Sequence, residues 1–523
     1  MNAITAAQRL TPVYTAPVLA PRQVASPAAT PLAIPSTTVS LGQNNQAPPA
    51  QTYTANGVMG AGQVRYVWEH GSTDKLSTAL MTGVQSSAIG ARFQGLGAAL
   101  LEQLANNGGK GISQSLLTLS GTEQPNAAAV QLQVANLRAN PADSVTFNLT
   151  TASGATVTLA LASNEQGLAV SAQVQGGDLT AEELEGLGAL AESFQSSIDG
   201  LAQVPPRLQL GNLVKLDPAL FTSLHMNASL NVDGKEPQTL ELRLDEQSRS
   251  VALQGPTGRV QLNFDTSTTL LGSKTQRQAA IDSYLSQFDA AQKRGKGDEN
   301  LMGLFKDAFS QLNAADDSKP TVTERASLMS ASDRALLSGL ADFTASISQT
   351  SVQSNPMRAE ESDRFDYRVS QATTVKGAGG LKRSVQQDQQ AQLQAAYHQG
   401  LNPLVGLQLG NDRASQNYRY HEITDQSSSQ TRLTFDRGAL VEASASQQAS
   451  QQERVRTYVD GELKEDVTTP ASTSRSTNLL SQVNDVLRQE RMTRQHNGVS
   501  ILDDALQALR NEWQLNATPT AIT

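Results

Sequence analysis

The chain has 523 residues, 40 Lys and Arg against 49 Asp and Glu, and no cysteine. Its length predicts roughly two to four folded units, and its net charge of -9 removes the chain-wide basic field expected of a nucleic-acid or anionic-membrane binder. Without cysteine, disulfides, Cys-ligated zinc, iron–sulfur clusters and thiol nucleophiles are excluded. Charged residues are 17% and aromatics 4% of the chain, so the polar surface falls to Gln, Ser, Thr and Asn, and the cores must be mainly aliphatic.

Residues 1–62 are rich in Pro, Ala, Thr, Ser and Gln and are expected to form a disordered leader, because they offer too little apolar area to offset ordering entropy. Prolines 12, 17 and 21 interrupt the N-terminus, which therefore lacks the apolar core of a Sec signal peptide. No run reaches the length of a transmembrane helix. A mainly helical segment is expected over 63–140, opened by a strand, QVRYVWEHG. Leu76, Leu80, Val84, Ala88, Phe93, Leu96, Leu100 and Leu104 then approximate helical spacing, with a break near Gly90 and a stop at Gly108-Gly109.

A duplicated meander-plus-helix domain is expected over 141–300, with units at about 144–203 and 222–295. TLALASNEQGLAVSAQ (158–173) and TLELRLDEQSRSVALQ (239–254) agree at Thr158/Thr239, Leu159/Leu240, Leu161/Leu242, Glu165/Glu246, Gln166/Gln247, Val170/Val251 and Gln173/Gln254. Each stretch alternates apolar and polar residues as a half-buried hairpin does. The helices after them also match, at Ser193/Ser283, Ser196/Ser286 and Asp199/Asp289. The offset grows by the length of one strand, RVQLNFD. A single meander exposes an apolar face, so a helix or a second copy must cover it.

A helical connector is expected over 301–352, from LMGLFKDAFSQLNAAD and SASDRALLSGLADFTASISQT. A second β-rich domain follows over 353–475, with a helix expected in its Gln-rich stretch SVQQDQQAQLQAAYHQG and a tight hairpin at Asp460-Gly461. A C-terminal helical hairpin closes the chain over 476–523. The fold class is thus α+β.

Motifs for chemistry are sparse. The histidines, 70, 225, 398, 421 and 496, make no HExxH or HxxxH pattern. His421 and Glu422, beside Tyr418 and Tyr420, would point to opposite faces of a strand, which bars a direct base–orienter pair. The sharpest positive cluster is VKGAGGLKR, where the amides of Gly377, Gly379 and Gly380 with Lys376, Lys382 and Arg383 could contact an anion. It matches neither dinucleotide nor P-loop spacing, and there is no GxSxG or SxxK. No catalytic, cofactor or metal residue is assigned.

The plan resembles that of signal-less bacterial export substrates, including flagellar-type axial and secreted proteins: a Ser/Thr/Ala/Pro leader, no cysteine, few aromatics, and helical ends around β-rich middles. The segment STTVSLGQ (36–43) is similar to the starts of such proteins. The resemblance implies export without a Sec signal, or envelope association, and carries over no functional residue. The expectation is a non-enzymatic structural or interaction protein with an unidentified protein partner, no nucleic acid and no cofactor. The alternative is a soluble intracellular enzyme or ligand-binding protein whose site forms only in space, and a third reading is an intracellular adaptor docking through its C-terminal helices. Oligomeric state is not legible.

Overall fold

The computed structural model describes residues 64–70, 73–120, 126–232, 234, 236–267, 271–315, 334–377, 382–402, 404–498, 500–510 and 512–522. The expected leader and the STTVSLGQ segment lie outside them. All the described residues belong to one unit, 62–523. It is α+β, with eight α-helices and fifteen strands among the described residues.

Alternation of side chains along each strand organises the unit. The strands β1 (Val64–Trp68), β2 (Ile112–Ser120), β3 (Asp143–Thr151), β4 (Thr156–Asn164) and β5 (Gly167–Gln175) begin the sheet. Then come β6 (Phe221–Leu230), β7 (Gln238–Leu244), β8 (Ser248–Gly255), β9 (Gly258–Asp265), β10 (Asp342–Gln349) and β11 (Arg364–Lys376). The four longest, β12 (Lys382–Gly400), β13 (Tyr418–Asp436), β14 (Ala439–Val459) and β15 (Glu462–Asn478), finish it. Their spatial order is β1-β2-β5-β4-β3-β6, and from β6 each strand pairs with the next as far as β15. Every pairing is antiparallel.

One face of the sheet carries the main core. Val145, Phe147 and Leu149 of β3, Leu240 and Leu242 of β7, and Val260, Leu262 and Phe264 of β9 are all buried there. Against them pack α1 (Lys75–Gln85), α2 (Leu96–Asn106), α4 (Ala181–Leu201), α5 (Lys274–Gly295) and α6 (Glu299–Ala314). The start of α4 is fixed by a capping box: Thr180 accepts from the Glu183 amide at 3.2 Å, and the Glu183 carboxylate accepts from the Thr180 amide at 2.9 Å. Phe288 of α5 stands among Phe305, Phe309 and Tyr367 with ring centroids 4.8, 5.2 and 5.9 Å away. The C-terminal helices α7 (Leu480–Asn497) and α8 (Leu502–Arg510) extend this layer, closing over Val385, Leu433, Phe435, Ala443 and Ala445.

Among the described residues, the other face is covered at its two ends. Leu116 points into the main core, while its neighbour Leu117 points the opposite way, to Val134 and Leu137 of α3 (Ala127–Ala139). At the far end Ala396, Tyr418, Tyr420 and Tyr458 form a second outer cluster with Leu407 and Leu409.

Two expectations are corrected. The Gln-rich stretch is β12, not a helix. Gln387 and Gln389 alternate with less buried neighbours in line with Val385, Ala391, Leu393 and Ala395, and strands pair on both sides, so the ladder overrides the helical preference of Gln and Ala. The segment read as helical over 330–350 holds β10 at 342–349, with Phe343, Ala345 and Ile347 inward; its residues 330–333 lie outside the described set. Strand β2 and helix α3 had no counterpart in the sequence reading.

Candidate functional site

The connection from β10 to β11 crosses the outer face of the sheet and brings Asn355, Arg358, Glu361 and Asp363 against β12–β14. Glu361 has no exposed surface. Its carboxylate accepts from the Tyr418 hydroxyl at 2.6 Å and faces His398 Nε2 at 3.3 Å and Arg456 Nη1 at 3.4 Å. His398 Nδ1 lies 2.6 Å from Asp363 Oδ1, which also accepts from the His398 amide at 3.0 Å. An ionised carboxylate only accepts, so His398 between two of them is placed to donate from both nitrogens, an arrangement that favours its protonated form. Asn355 donates to Gln416 at 2.8 Å and to Tyr418 at 2.9 Å. Tyr418 stacks on Tyr458, over which Arg358 sits at 4.3 Å.

The electrostatics follow from this enclosure. Burial pushes the Glu361 carboxyl up, but hydrogen bonds from His398, Tyr418 and Tyr458 outweigh it and hold the group below its ordinary value. Asp363 is likewise held low against burial by His398 and Ser354. Burial acts to lower His398, yet Asp363 and Glu361 raise it overall. Burial first, and Glu361 second, push the Tyr418 hydroxyl far up. The side chains of His398 and Glu361 are 1% and 0% exposed, so the network fastens the 350–363 connection to the sheet instead of presenting groups to a substrate.

A separate group occupies the helix-side face of the same strands. Arg294 of α5 binds Asp425 at 2.5 Å and Glu453 at 3.5 Å. His421 meets Glu453 at 2.8 Å and Gln399 at 2.9 Å, and its ring stacks on Tyr397. Glu422, next in sequence, lies on the outer face with Arg454 and Arg456. The strand thus sends His421 and Glu422 to opposite layers.

In the glycine cluster, Lys376 ends β11 and Lys382 begins β12, so the glycine run links two paired strands. Gly377 has φ +73°. Arg383 lies over the Phe435 ring at 4.3 Å. Gly379 and Gly380 fall outside the described residues.

Among the described residues, the outer face is open between the two covered ends. A depression of about 780 Å³ spans β7–β12, and one of about 510 Å³ over β3 and β6–β9 shares Glu241, Ala252 and Gln261 with it. Its floor is a set of registered rows. In one, Thr146, Asn227, Glu241, Ala252, Gln261, Ser346, Arg368 and Gln392 stand side by side on successive strands. At one edge, His225 meets Asn227 at 3.1 Å and Glu241 at 3.3 Å, and Glu241 also accepts from Arg243. A sequence reading of His398 fails because its partners lie 35 and 37 residues away. The rows fail for the same reason: they exist only once the register is known.

No group of three or more His, Asp and Glu side chains among the described residues has metal-binding geometry. No described helix is long and apolar enough to cross a membrane. Compared with known protein families, curated proteins and solved structures, the chain matches none.

Proposed function

We propose that this chain is a non-enzymatic interaction protein whose working surface is the open outer face of the sheet, and that it acts at the envelope or after export by a route that needs no Sec signal. One observation carries the reading. A polar depression, floored by registered Gln, Asn, Ser, Thr and Arg side chains, runs across the middle of the sheet while both ends of that face are covered. The buried titratable network supports it from the other side, since the Glu361 and His398 side chains at 0% and 1% exposure are poorly placed to meet a substrate.

The sheet is built for this by two like units. In the hairpins β4–β5 and β7–β8 the matched residues Leu159/Leu240, Leu161/Leu242 and Val170/Val251 are all buried against helices. In α4 and α5 the matched pairs Phe194/Tyr284 and Ile198/Phe288 are buried too. This agreement of inward positions supports a duplication that widened the sheet, with β9 added in the second unit.

The test is to tag the C-terminus, express the protein at native level, and compare cytosol, envelope and medium against a lysis marker. A second chain has its depression filled by Ser346→Trp with Ser370→Trp, changes that a strand tolerates. The expected result is wild-type protein in envelope or medium, in a complex larger than the monomer, with the filled variant monomeric. Cytosolic monomer for both chains would contradict the reading.

A further inference from the structure

We infer that the helix side of β12–β14 is a groove for an extended peptide, and that residues 512–518 of the chain lie in it as a releasable internal ligand. The ligand that replaces them is an extended peptide bearing an aromatic and an aliphatic residue two positions apart. The groove lies on the other side of the sheet from the proposed working surface, and its tests are separate.

The main chain is the first argument. Beyond α8 the chain passes over β12, β13 and β14, yet among the described residues it joins no strand ladder. Side chains hold its backbone instead. The Leu515 amide donates to Gln389 Oε1 at 2.8 Å. The carbonyls of Trp513, Gln514, Leu515 and Ala517 accept from Ser429, Gln447, Gln287 and Gln451 at 2.5, 2.6, 2.8 and 3.2 Å. Gln389, Ser429 and Gln447 are register partners on adjacent strands. Arg475 of β15 continues their row and stands 2.9 Å from Glu512. Contacts of this kind bind any extended backbone, and side-chain sockets select among them.

The sockets are the second. Trp513 is buried in the core beneath α7 and α8, and Leu515 in the main core beside α5. Gln514 between them is half-buried. The pattern read by the groove is therefore Trp-x-Leu or its like.

The lining permits release. Gln371, Gln389, Ser429 and Gln447 make a buried polar row where a permanent core favours aliphatic residues. When the groove is covered, these groups bond to the segment or to one another, as Gln389 does to Gln371 at 3.2 Å. When it is uncovered, water can serve them, so opening strands no polar group of that row. One flank of the segment is already free. A depression of about 480 Å³ lies between it and Asp282, Ser283 and Ser286 of α5, and Thr518 is exposed.

The probe is a labelled synthetic peptide of residues 511–520, NEWQLNATPT, titrated into the full-length chain and into its variant Trp513→Ala with Leu515→Ala. The variant is expected to bind it saturably and to gain melting temperature on doing so. Wild type should bind at least tenfold more weakly, because its own segment competes. A peptide carrying serine in place of Trp and Leu should bind neither. Adding Gln447→Leu to the variant should weaken the peptide roughly tenfold, the cost of one unmet carbonyl. Absence of binding, equal binding to wild type, or equal binding of the serine peptide would each overturn the assignment. Should the double variant not fold alone, wild-type hydrogen exchange decides. The Leu515 amide is expected to exchange at least tenfold faster than the amides of β13, through local opening; exchange at the β13 rate would mean that the segment leaves only on global unfolding, and would overturn the inference.

Discussion

Glu361 concentrates the physics of single residues in this protein. It is a carboxylate with no exposed surface, surrounded by His398, Arg456 and Tyr418. Removing one member of a buried charge network leaves the others without compensation. Glu361→Ala is therefore expected to destabilise the protein by about 3–5 kcal/mol in urea unfolding, and Glu361→Gln by less, because the amide oxygen still accepts. A loss below about 1 kcal/mol for the alanine variant would show that the network contributes little. The pH dependence has a definite sign. His398 is raised in the folded state, so its contribution is complete below its unfolded value of about 6.5 and is lost as pH climbs through the raised one. Glu361 and Asp363 are lowered, so theirs is present above about 4.3 and 3.9 and is lost on further acidification. Stability measured across these windows should decline on both sides, and His398→Gln should flatten the alkaline limb. An alkaline limb of unchanged slope in that variant would remove His398 from the account.

Elements show where sequence patterns suffice and where they do not. The strands β3 and β9 alternate cleanly, one face buried against helices and the other less buried, and such alternation is readable from residues alone. So is α4, announced by Thr180 and Glu183; Thr180→Ala should cost about 1 kcal/mol, read as a shifted urea midpoint, and no shift would mean the cap is dispensable. In β12 the inward row includes Gln387 and Gln389, whose amide oxygens accept from the distant Ser338 and Leu515 backbones and whose amide nitrogens donate to Thr373 and Gln371. A pattern that counts Gln as polar misses that row. His398 and His421 differ in the same way. Antiparallel pairing sets His398 opposite Tyr420 and Tyr397 opposite His421, so adjacent residues serve separate layers, a division fixed by register and by the 350–363 connection. The aromatic group about Phe288 is likewise assembled from α5, α6 and β11. Phe288→Ala should cost about 3–5 kcal/mol in the same unfolding experiment, and a near-neutral result would mean the core repacks freely.

The whole molecule poses a problem of edges and faces. A sheet with two ends has two edge strands, and β15 is the longer, with 17 residues exposed almost throughout. It carries Pro470 opposite Gln452, and charges at Lys464, Glu465, Asp466 and Arg475, the devices that keep an edge from recruiting another chain. The face poses the opposite case. Helices cover one side, α3 and the 350–363 connection close the ends of the other, and among the described residues the middle is left open. Nothing in chain order marks this surface, since its rows draw on residues from 146 to 392. The most direct test is in-cell cross-linking from a photoreactive residue placed at Thr344, exposed in the depression, and at Lys293, exposed on α5. The account predicts adducts from position 344 and none from position 293. Adducts from position 293 alone, or from neither position in the fraction where the protein resides, would contradict it.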